Sequence, residues 1–224
     1  METNKKLVIA IDGPGAAGKS TVAKLVAKKL NLTYIDTGAM YRSLGLYALR
    51  NNIDVTDVDG LVNALNKIDI YLDPQGRVFL NGEDVSLEIR GEAVTRVASP
   101  VSAPRPVREI LVKKQQELAR KSENGVVMDG RDIGTVVLTD ANLKIYQIAS
   151  SSVRAKRRYE ENLKKGITTP LEQIEKEIAH RDYLDMNKGF GALKKAEDAI
   201  ELDTSYMTID EVVAFIYNKA MELM

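Results

Sequence analysis

Residues 13–20 have the types and the spacing of a phosphate-binding loop. They read Gly-Pro-Gly-Ala-Ala-Gly-Lys-Ser and match the pattern G-x-x-x-x-G-K-[ST]. Glycines let the backbone wrap closely around phosphate oxygens, and the helix that follows adds the positive end of its dipole. In such a loop the lysine reaches the β- and γ-phosphates and the serine hydroxyl binds Mg²⁺. The predicted donor site comprises Gly13, Pro14, Gly15, Ala16, Ala17, Gly18, Lys19, Ser20 and Thr21.

The residues on both sides of this loop support the prediction. The apolar run at 7–11 is typical of a strand buried on both faces, and it stops at Asp12. A helix is predicted to begin at Lys19. Its apolar positions are Val22, Leu25, Val26 and Leu30. The loop therefore lies between a strand and a helix, where the backbone N–H groups of a helix N-terminus can face a phosphate.

Two other motifs compete with this interpretation. The three glycines of the loop also spell G-x-G-x-x-G, and Asp36 follows where a dinucleotide-binding fold has its acidic ribose partner. The Lys19-Ser20 pair favours a triphosphate, because a dinucleotide loop has no use for a lysine directed at a γ-phosphate. A nicotinamide-binding reductase stays as an alternative. Residues 57–60 and 66–69 resemble GTPase motifs, but those follow different strands in GTPases, so we interpret this match as coincidence.

Two further segments indicate an acceptor that itself carries a phosphate. Residues 36–42 (Asp-Thr-Gly-Ala-Met-Tyr-Arg) follow one predicted strand, and residues 128–132 (Met-Asp-Gly-Arg-Asp) end another. Ligands of open α/β sheets bind at the carboxyl ends of the strands, which is where both segments are expected. Guanidinium groups grip phosphate in a bidentate way. Arg42 and Arg131 are therefore acceptor-phosphate candidates, the alternative being surface arginines paired to neighbouring acids.

Two helical stretches later in the chain each have two interpretations. A basic cluster is either a solvated or RNA-contacting face, or a lid that closes over a triphosphate and supplies arginines to it. Arg181 and Asp185, four residues apart, share one helix face either as a surface ion pair or as a binding pair. His180, beside them, is expected to be exposed. The basic cluster consists of Arg154, Lys156, Arg157 and Arg158.

Predicted strands and helices alternate along most of the chain. Further strands are predicted at residues 143–148 and 199–202. One helix is predicted to end before Gly125, one to begin with Thr169 as its N-cap, and one to begin with the capping box at 208–211. Alternation of this kind predicts a mostly parallel sheet with helices on both faces.

Residues 68–85 break this alternation. Apolar and polar residues alternate at 68–72, Pro74-Gln75-Gly76 is predicted as a turn, and Asn81-Gly82 is typical of a second hairpin turn. This pattern predicts a small antiparallel sheet inserted into the α/β core.

Composition limits the chemistry that the chain can perform. The 224 residues contain 32 Lys plus Arg and 32 Asp plus Glu, so overall charge does not favour a polyanion partner. The absence of cysteine excludes disulfides, zinc-thiolate sites, iron–sulfur clusters and cysteine nucleophiles, and a single histidine excludes a multi-histidine metal site. No targeting signal or membrane-length apolar run is visible, so we expect a cytoplasmic protein.

Taken in order, the motifs resemble bacterial cytidylate kinase, a family of P-loop nucleoside monophosphate kinases. The resemblance covers essentially the whole chain. It is carried by the phosphate loop, IDTGAMYR at 35–42, MDGRDIGTVV at 128–137, RAKRRYEEN at 154–162 and RDYLD at 181–185. It implies an α/β fold: a three-layer core with a parallel five-stranded sheet, an inserted NMP-binding domain with a small antiparallel sheet, and a short helical lid. The implied divisions are core at 1–42, 105–152 and 169–224, insertion at 43–104 and lid at 153–168.

The resemblance also implies a reaction. In this family Mg²⁺-dependent phosphoryl transfer from ATP converts CMP or dCMP to CDP or dCDP, as part of pyrimidine nucleotide metabolism. The implied partners are small-molecule substrates only, without nucleic acid or membrane, and we expect a monomer.

Residue by residue, the resemblance assigns roles to positions of this chain. Arg42 and Arg131 would hold the CMP phosphate, and Arg181 with Asp185 would hold the ribose hydroxyls. Ser99, Arg108 and Asp132 would read the cytosine edge. The predicted CMP-binding residues are Asp36, Thr37, Arg42, Ser99, Arg108, Asp129, Arg131, Asp132, Arg181, Asp185 and Lys188. The predicted catalytic residues are Lys19, Arg131, Arg157 and Arg158, with Arg157 also in the ATP site and Ser20 and Asp129 as metal ligands.

Lys188 departs from the family pattern, which usually has an arginine at this position. Lysine keeps the charge but loses the bidentate fork, so we predict weaker binding of the acceptor phosphate than an arginine would give. Replacement of Lys188 by arginine (Lys188→Arg) is therefore expected to lower the KM for CMP in steady-state assays at saturating ATP. An unchanged or raised KM would contradict this prediction.

Overall fold

The computed structural model describes residues 6–73, 75–164 and 166–224. Its strands, numbered along the chain, are β1 (Leu7–Asp12), β2 (Thr33–Asp36), β3 (Ile70–Leu72), β4 (Val78–Leu80), β5 (Glu83–Asp84), β6 (Gly125–Gly130), β7 (Leu143–Ile148) and β8 (Ile200–Asp203). Its α-helices are α1 (Lys19–Leu30), α2 (Thr37–Arg50), α3 (Val58–Leu65), α4 (Glu92–Ser102), α5 (Arg105–Lys121), α6 (Ser151–Lys164), α7 (Leu171–Asn187) and α8 (Ile209–Met221). A 3₁₀ turn spans Glu88–Arg90 and a π-helical turn spans Ile133–Val137.

Five strands form one parallel sheet in the order β2-β6-β1-β7-β8. The central strand β1 pairs with β6 on one side and β7 on the other, so that Ile9 lies beside both Val127 and Leu143. All six residues of β6 are buried, as expected for a parallel strand covered on both faces. The predicted five-stranded parallel core is confirmed, and the carboxyl ends of β1, β2 and β6 meet at one edge.

Alternate residues of β1 face opposite layers of helices. Ile9 and Ile11 pack with apolar residues of α1 and α8, including Val26 and Ile216. Ala10 points to the other face and belongs to a cluster that includes Val112 of α5. The period of two along the strand and the helical spacing in α1 and α8 thus place one helix layer on each side of the sheet.

The predicted antiparallel sheet is also confirmed. It has the order β3-β4-β5, with Ile70 opposite Leu80, and its apolar side chains join a cluster that includes Leu44 of α2 and Leu61 of α3. Asn81 has a φ of 51° and Gly82 a φ of 83°, so this Asn-Gly pair makes the left-handed turn that its sequence predicts. In the other predicted turn Pro74 lies outside the described residues, while the Gly76 amide donates to the Asp73 carbonyl at 2.9 Å.

Helix ends show where local pattern matching succeeds and where it fails. The capping box of α8 is present, with Thr208 accepting from the Glu211 amide and the Glu211 carboxylate accepting from the Thr208 amide. The predicted cap of α7 is wrong: Pro170, rather than Thr169, occupies the N-cap, and no side chain caps the helix. Helix α5 ends at Lys121 with Ser122 as its C-cap, earlier than the predicted stop.

Asp57, part of the segment that resembles a GTPase motif, caps α3 by accepting from the Gly60 amide. Asp57 therefore has a structural role that does not involve a nucleotide. In the described part of the chain, no helix combines the length and the apolar character that a membrane crossing requires.

Candidate active site

A cavity of about 360 Å³ opens at the sheet edge where β1, β2 and β6 end. Most of the sequence-predicted site residues line it. These are Gly15, Ala16, Ala17, Gly18, Lys19, Ser20, Thr21, Asp36, Thr37, Arg42, Ser99, Arg108, Asp129, Arg131, Asp132, Arg158, Arg181, Asp185 and Lys188. Three predicted residues lie outside the lining: Gly13, Pro14 and Arg157.

The phosphate loop is held in place by close backbone contacts. A side chain at Gly13 would overlap the carbonyl oxygen of Gln147 in β7, so only glycine fits there. Gly18 is the N-cap of α1 with a φ of 89°, a left-handed conformation that glycine adopts without strain. The side-chain amide of Gln147 donates through Nε2 to the Ala17 carbonyl at 2.7 Å. The loop is thus anchored to the sheet before any ligand binds.

Lys19, the first residue of α1, is a buried residue of the cavity lining. Its Nζ donates to the Pro14 carbonyl at 2.7 Å. Burial, and next the positive charge of Arg131, lower the pKa of Lys19 to about 7. A bound polyphosphate would supply negative charge and favour the protonated amine.

Asp129, at the end of β6, is surrounded by hydroxyl donors. Ser20 Oγ donates to its Oδ2 at 2.8 Å, and the Tyr34 hydroxyl donates to its Oδ1 at 2.7 Å. Burial and the nearby charge of Asp36 raise the pKa of Asp129, whereas Lys19 and the two hydroxyl bonds oppose that rise. A carboxylate and a hydroxyl are the hard oxygen donors that Mg²⁺ prefers, so the residues fit this ion. Among the described residues no group of three or more His, Cys, Asp or Glu could hold a metal ion.

Asp36, which caps α2, holds two arginines at the cavity wall. Arg42 Nη2 donates to Asp36 Oδ2 at 3.0 Å, and Arg90 Nη2 donates to the same oxygen at 3.1 Å. Burial alone would raise the pKa of Asp36, but Arg42 and Arg90 together lower it. The Nε atom of Arg42 is buried without a hydrogen-bond partner.

Asp185, on α7, organises a second group of cations. Arg131 Nε donates to Asp185 Oδ2 at 2.7 Å, and Lys188 Nζ lies 3.6 Å from Oδ1. Burial would raise the pKa of Asp185, yet Arg131 and Lys188 hold it at about 2. Arg181 also lines the cavity, and burial followed by repulsion from Arg131 lowers its pKa to about 10. Asp185 is only 4% exposed and its short contact is with Arg131, so the alternative of a surface pair with Arg181 is wrong.

Arg108 and Asp132 form a buried ion pair in the cavity lining. Arg108 Nη2 donates to Asp132 Oδ2 at 2.6 Å, and Arg108 Nη1 donates to the Ser102 carbonyl at 2.9 Å. Arg108 also stacks over the Tyr41 ring, 5.2 Å from its centroid. A side chain at Gly191 would overlap both members of the pair. A planar, charged donor–acceptor surface of this kind can recognise a flat polar ring.

The sequence model of the cytidylate kinase family matches residues 9–222. The chain belongs to the cytidylate kinase family. It is 55% identical to the cytidylate kinase of Bacillus cytotoxicus over 214 residues, which is 94% of each chain. It is 52% identical to that of Ligilactobacillus salivarius over 217 residues, 96% of each chain. This membership decides against a nicotinamide-binding reductase.

Solved structures with low sequence identity show the same α/β kinase fold as this member of the cytidylate kinase family. An uncharacterized protein from Eubacterium ventriosum aligns with a TM-score of 0.53 and 12% identity, over 97% of this chain and 99% of the other. A gluconokinase from Sinorhizobium meliloti aligns with a TM-score of 0.50 and 14% identity, over 97% and 93%.

The basic cluster divides into residues with different surroundings. Arg158 lines the cavity, whereas Arg157 Nη2 donates to the Thr204 carbonyl at 2.7 Å. Arg154 is buried and contacts Asp182 through both terminal nitrogens, at 3.1 and 2.6 Å, while its Nη1 also donates to the Gly15 carbonyl. The cluster is therefore not a uniform solvated face. The predicted role of Arg157 in ATP binding stays a prediction.

Three residues near the site were not assigned to it from the sequence. Arg90 comes from the 3₁₀ turn of the inserted region, Tyr34 from β2 and Arg154 from the base of α6. Arg154 was at least visible as a member of a basic cluster. Arg90 and Tyr34 have no local motif. Arg90 is placed at the site by its contact with Asp36, and Tyr34 by its contact with Asp129; the two members of each pair are more than 50 positions apart in the sequence.

Lys188 is expected to make CMP binding dependent on pH. Burial, and next the charge of Arg108, lower its pKa to about 8, although Asp185 and Asp132 oppose this and Arg131 adds to it. The amine is charged below this pKa and loses its charge as the pH rises through it.

At saturating ATP, kcat/KM for CMP is therefore expected to fall by roughly threefold or more between about pH 7 and about pH 9. The Lys188→Arg variant is the matched control, since a guanidinium stays charged over this range. Its profile should be flatter on the alkaline side, and an equally steep decline in both proteins would show that another group titrates.

Proposed function

We propose how individual residues carry out the reaction that membership of the cytidylate kinase family gives this chain, the ATP-dependent phosphorylation of CMP. The observation that carries the proposal is a single cavity with three parts. It joins the phosphate loop, the arginines held by Asp36 and Asp185, and the Arg108–Asp132 pair. A triphosphate donor, an acceptor phosphate and a polar base each have a matching surface there.

The acceptor phosphate is held by Arg42 and Arg131. Both line the cavity, both are fixed by a buried carboxylate, and Arg42 keeps an unpaired Nε. Arg181 also has a buried Nε without a partner. With Asp185, it binds the ribose hydroxyls in this proposal, and Thr37 and Lys188 complete the wall. The acceptor thus meets charged groups that are oriented before it binds.

The cytosine ring lies against Ser99, Arg108 and Asp132. The exocyclic amine of cytosine donates to the Asp132 carboxylate, a bond that uracil cannot make because it has a carbonyl there. Arg108 supplies donors to the ring carbonyl and nitrogen. The support is the fixed geometry of this pair, since both side chains are buried and joined at 2.6 Å. Deoxycytidylate has the same base, so dCMP is included as a substrate.

The ATP triphosphate lies in the phosphate loop with Lys19 at the β- and γ-phosphates. Arg158, which lines the cavity, contacts the phosphoryl group in transfer. Arg157, which donates to the Thr204 carbonyl just after β8, contacts the part of ATP outside the triphosphate. Ser20 and Asp129 hold Mg²⁺, which when bound neutralises part of the phosphate charge.

Transfer needs little proton chemistry, because the attacking oxygen belongs to an acceptor phosphate that is already ionised. The barrier falls through alignment and charge neutralisation. Arg42 and Arg131 hold the attacking oxygen in line, while Lys19 and Arg158 neutralise charge on the transferred group. Residues 43–104 act as the acceptor domain and 153–168 as the lid, which on closing excludes water and prevents wasteful ATP hydrolysis.

A coupled ADP-release assay tests the proposal. With ATP and a panel of CMP, dCMP, UMP, AMP, GMP and shikimate, ADP release is expected with CMP and dCMP and to be much slower with the others. The Lys19→Ala variant should lose this activity. Equal ADP release without any acceptor would instead indicate a P-loop ATPase, and ATP binding without turnover would indicate a nucleotide sensor.

The expectations of a cytoplasmic monomer without nucleic-acid partners stay predictions.

Two neighbouring arginines on α6 offer a matched pair of variants. Arg158→Ala is expected to lower kcat by about 100-fold, because it removes a donor to the charge in transfer. Arg157→Ala is expected to raise the KM for ATP by about tenfold and to change kcat much less. Steady-state kinetics at saturating CMP measure both effects. Equal losses of kcat in the two variants would contradict the assigned difference.

A further inference from the structure

Asp12 is a buried carboxylate that the reaction above does not use. It ends β1 just before the phosphate loop and is 5% exposed. Its Oδ1 accepts the Ile133 amide and its Oδ2 accepts the Gly134 amide, both at 2.7 Å. Because β1 pairs with β6, Asp12 lies beside Gly130, the residue that precedes Arg131 and Asp132 in the chain. One side chain thus joins the donor loop to the segment that binds the acceptor.

The two amides that Asp12 accepts are the free N–H groups at the start of the π-helical turn Ile133–Val137. Asp132 is the N-cap of this turn, and an aspartate in that position ordinarily accepts from the amide of the second or third residue of the turn, here Gly134 or Thr135. Here the Asp132 side chain makes no capping bond. Its carboxylate points instead to Arg108, at 2.6 Å. The turn is therefore capped by Asp12 of the neighbouring strand β1, and not by Asp132.

We propose that Asp12 is a positioning residue for base selection: by capping the 133–137 turn in place of Asp132, it leaves the Asp132 carboxylate free to pair with Arg108 and to accept from cytosine. This inference rests on the cytosine-reading role proposed for Asp132. Without the Asp12 carboxylate, two buried N–H groups lose their acceptors, and Asp132, the N-cap of the turn and an acidic group whose charge acts on Asp12, is the carboxylate that we expect to replace it.

The charge on Asp12 suits this role near neutral pH. Burial raises its pKa to about 6, with the Gly134 and Ile133 amides opposing the rise, Asp132 adding to it and Lys19 opposing it. At about pH 7.5 the carboxyl group is therefore mostly ionised and can accept both N–H groups.

The test is Asp12→Asn, assayed with CMP and UMP at about pH 7.5. The asparagine oxygen can accept one amide, but its NH₂ group cannot accept the other. We expect kcat/KM for CMP to fall about tenfold and kcat/KM for UMP to stay the same or rise. Equal losses with CMP and UMP would overturn the proposal, because a merely structural role lowers both alike.

Two control variants separate the possible causes. Ile216→Ala removes a fully buried side chain from α8, away from the cavity, and should lower stability without changing the CMP-to-UMP ratio. Asp132→Asn should lower that ratio directly. If Asp132→Asn keeps the ratio, the cytosine-reading role itself fails. If Asp132→Asn lowers it and Asp12→Asn does not, only the role of Asp12 fails.

A measurement on proteins that retain Asp12 covers the case in which Asp12→Asn does not fold. In NMR spectra the amide protons of Ile133 and Gly134 should exchange slowly with solvent and should shift together as the pH falls through about 6. Both properties should persist in Asp132→Asn. Fast exchange, or shifts that disappear in Asp132→Asn, would show that Asp12 is not the cap.

Discussion

The site depends on keeping several guanidinium and ammonium groups around one cavity although they repel one another and are partly removed from water. An uncompensated buried charge costs several kcal/mol, whereas the cost of a paired one is largely offset when its hydrogen bonds are satisfied. The structure meets this constraint with one buried or half-buried carboxylate for each group of cations. The pairings are Asp36 with Arg42 and Arg90, Asp185 with Arg131 and Lys188, Asp132 with Arg108, and Asp182 with Arg154.

These carboxylates hold the arginines without neutralising the cavity. Each carboxylate occupies only some of the N–H groups of its partners, and the buried Nε atoms of Arg42 and Arg181 remain without an acceptor. Burial, and next the charge of Arg131, lower the pKa values of both Lys19 and Arg181. An anion bound in the cavity would favour the protonated form of each group. The net charge of zero for the whole chain is an average over this uneven arrangement.

The sequence predicted those parts of the site that are formed by contiguous residues. The phosphate loop has its pattern within eight positions, and the strand before it and the helix after it follow from simple periodicity. Arg42 and Arg131 were found because they follow strand ends that topology brings together. The roles of Ser99 and Arg108 came only from the family resemblance, since α4 and α5 show no motif of their own.

What the sequence could not predict is set by contacts between distant segments. Arg90 reaches Asp36 across 54 positions, Tyr34 reaches Asp129 across 95, and Asp12 reaches Ile133 across 121. The different surroundings of Arg157 and Arg158 depend on the rotation of α6 about its axis, which a run of basic residues does not specify. The misplaced N-cap of α7 is a local difference: Pro170 has an extended ψ of 141°, and the helix begins one residue later than predicted.

Lys188 illustrates how the charge constraint bears on a single substitution. It shares Asp185 with Arg131 and lies near Arg108, so a third guanidinium there would add a permanent charge to a crowded group. Burial, and next the charge of Arg108, lower the pKa of Lys188 to about 8, so the amine keeps its charge near neutral pH and loses it in more alkaline solution. A guanidinium would stay charged over the same range, so lysine at this position adds less permanent charge to the group than an arginine would.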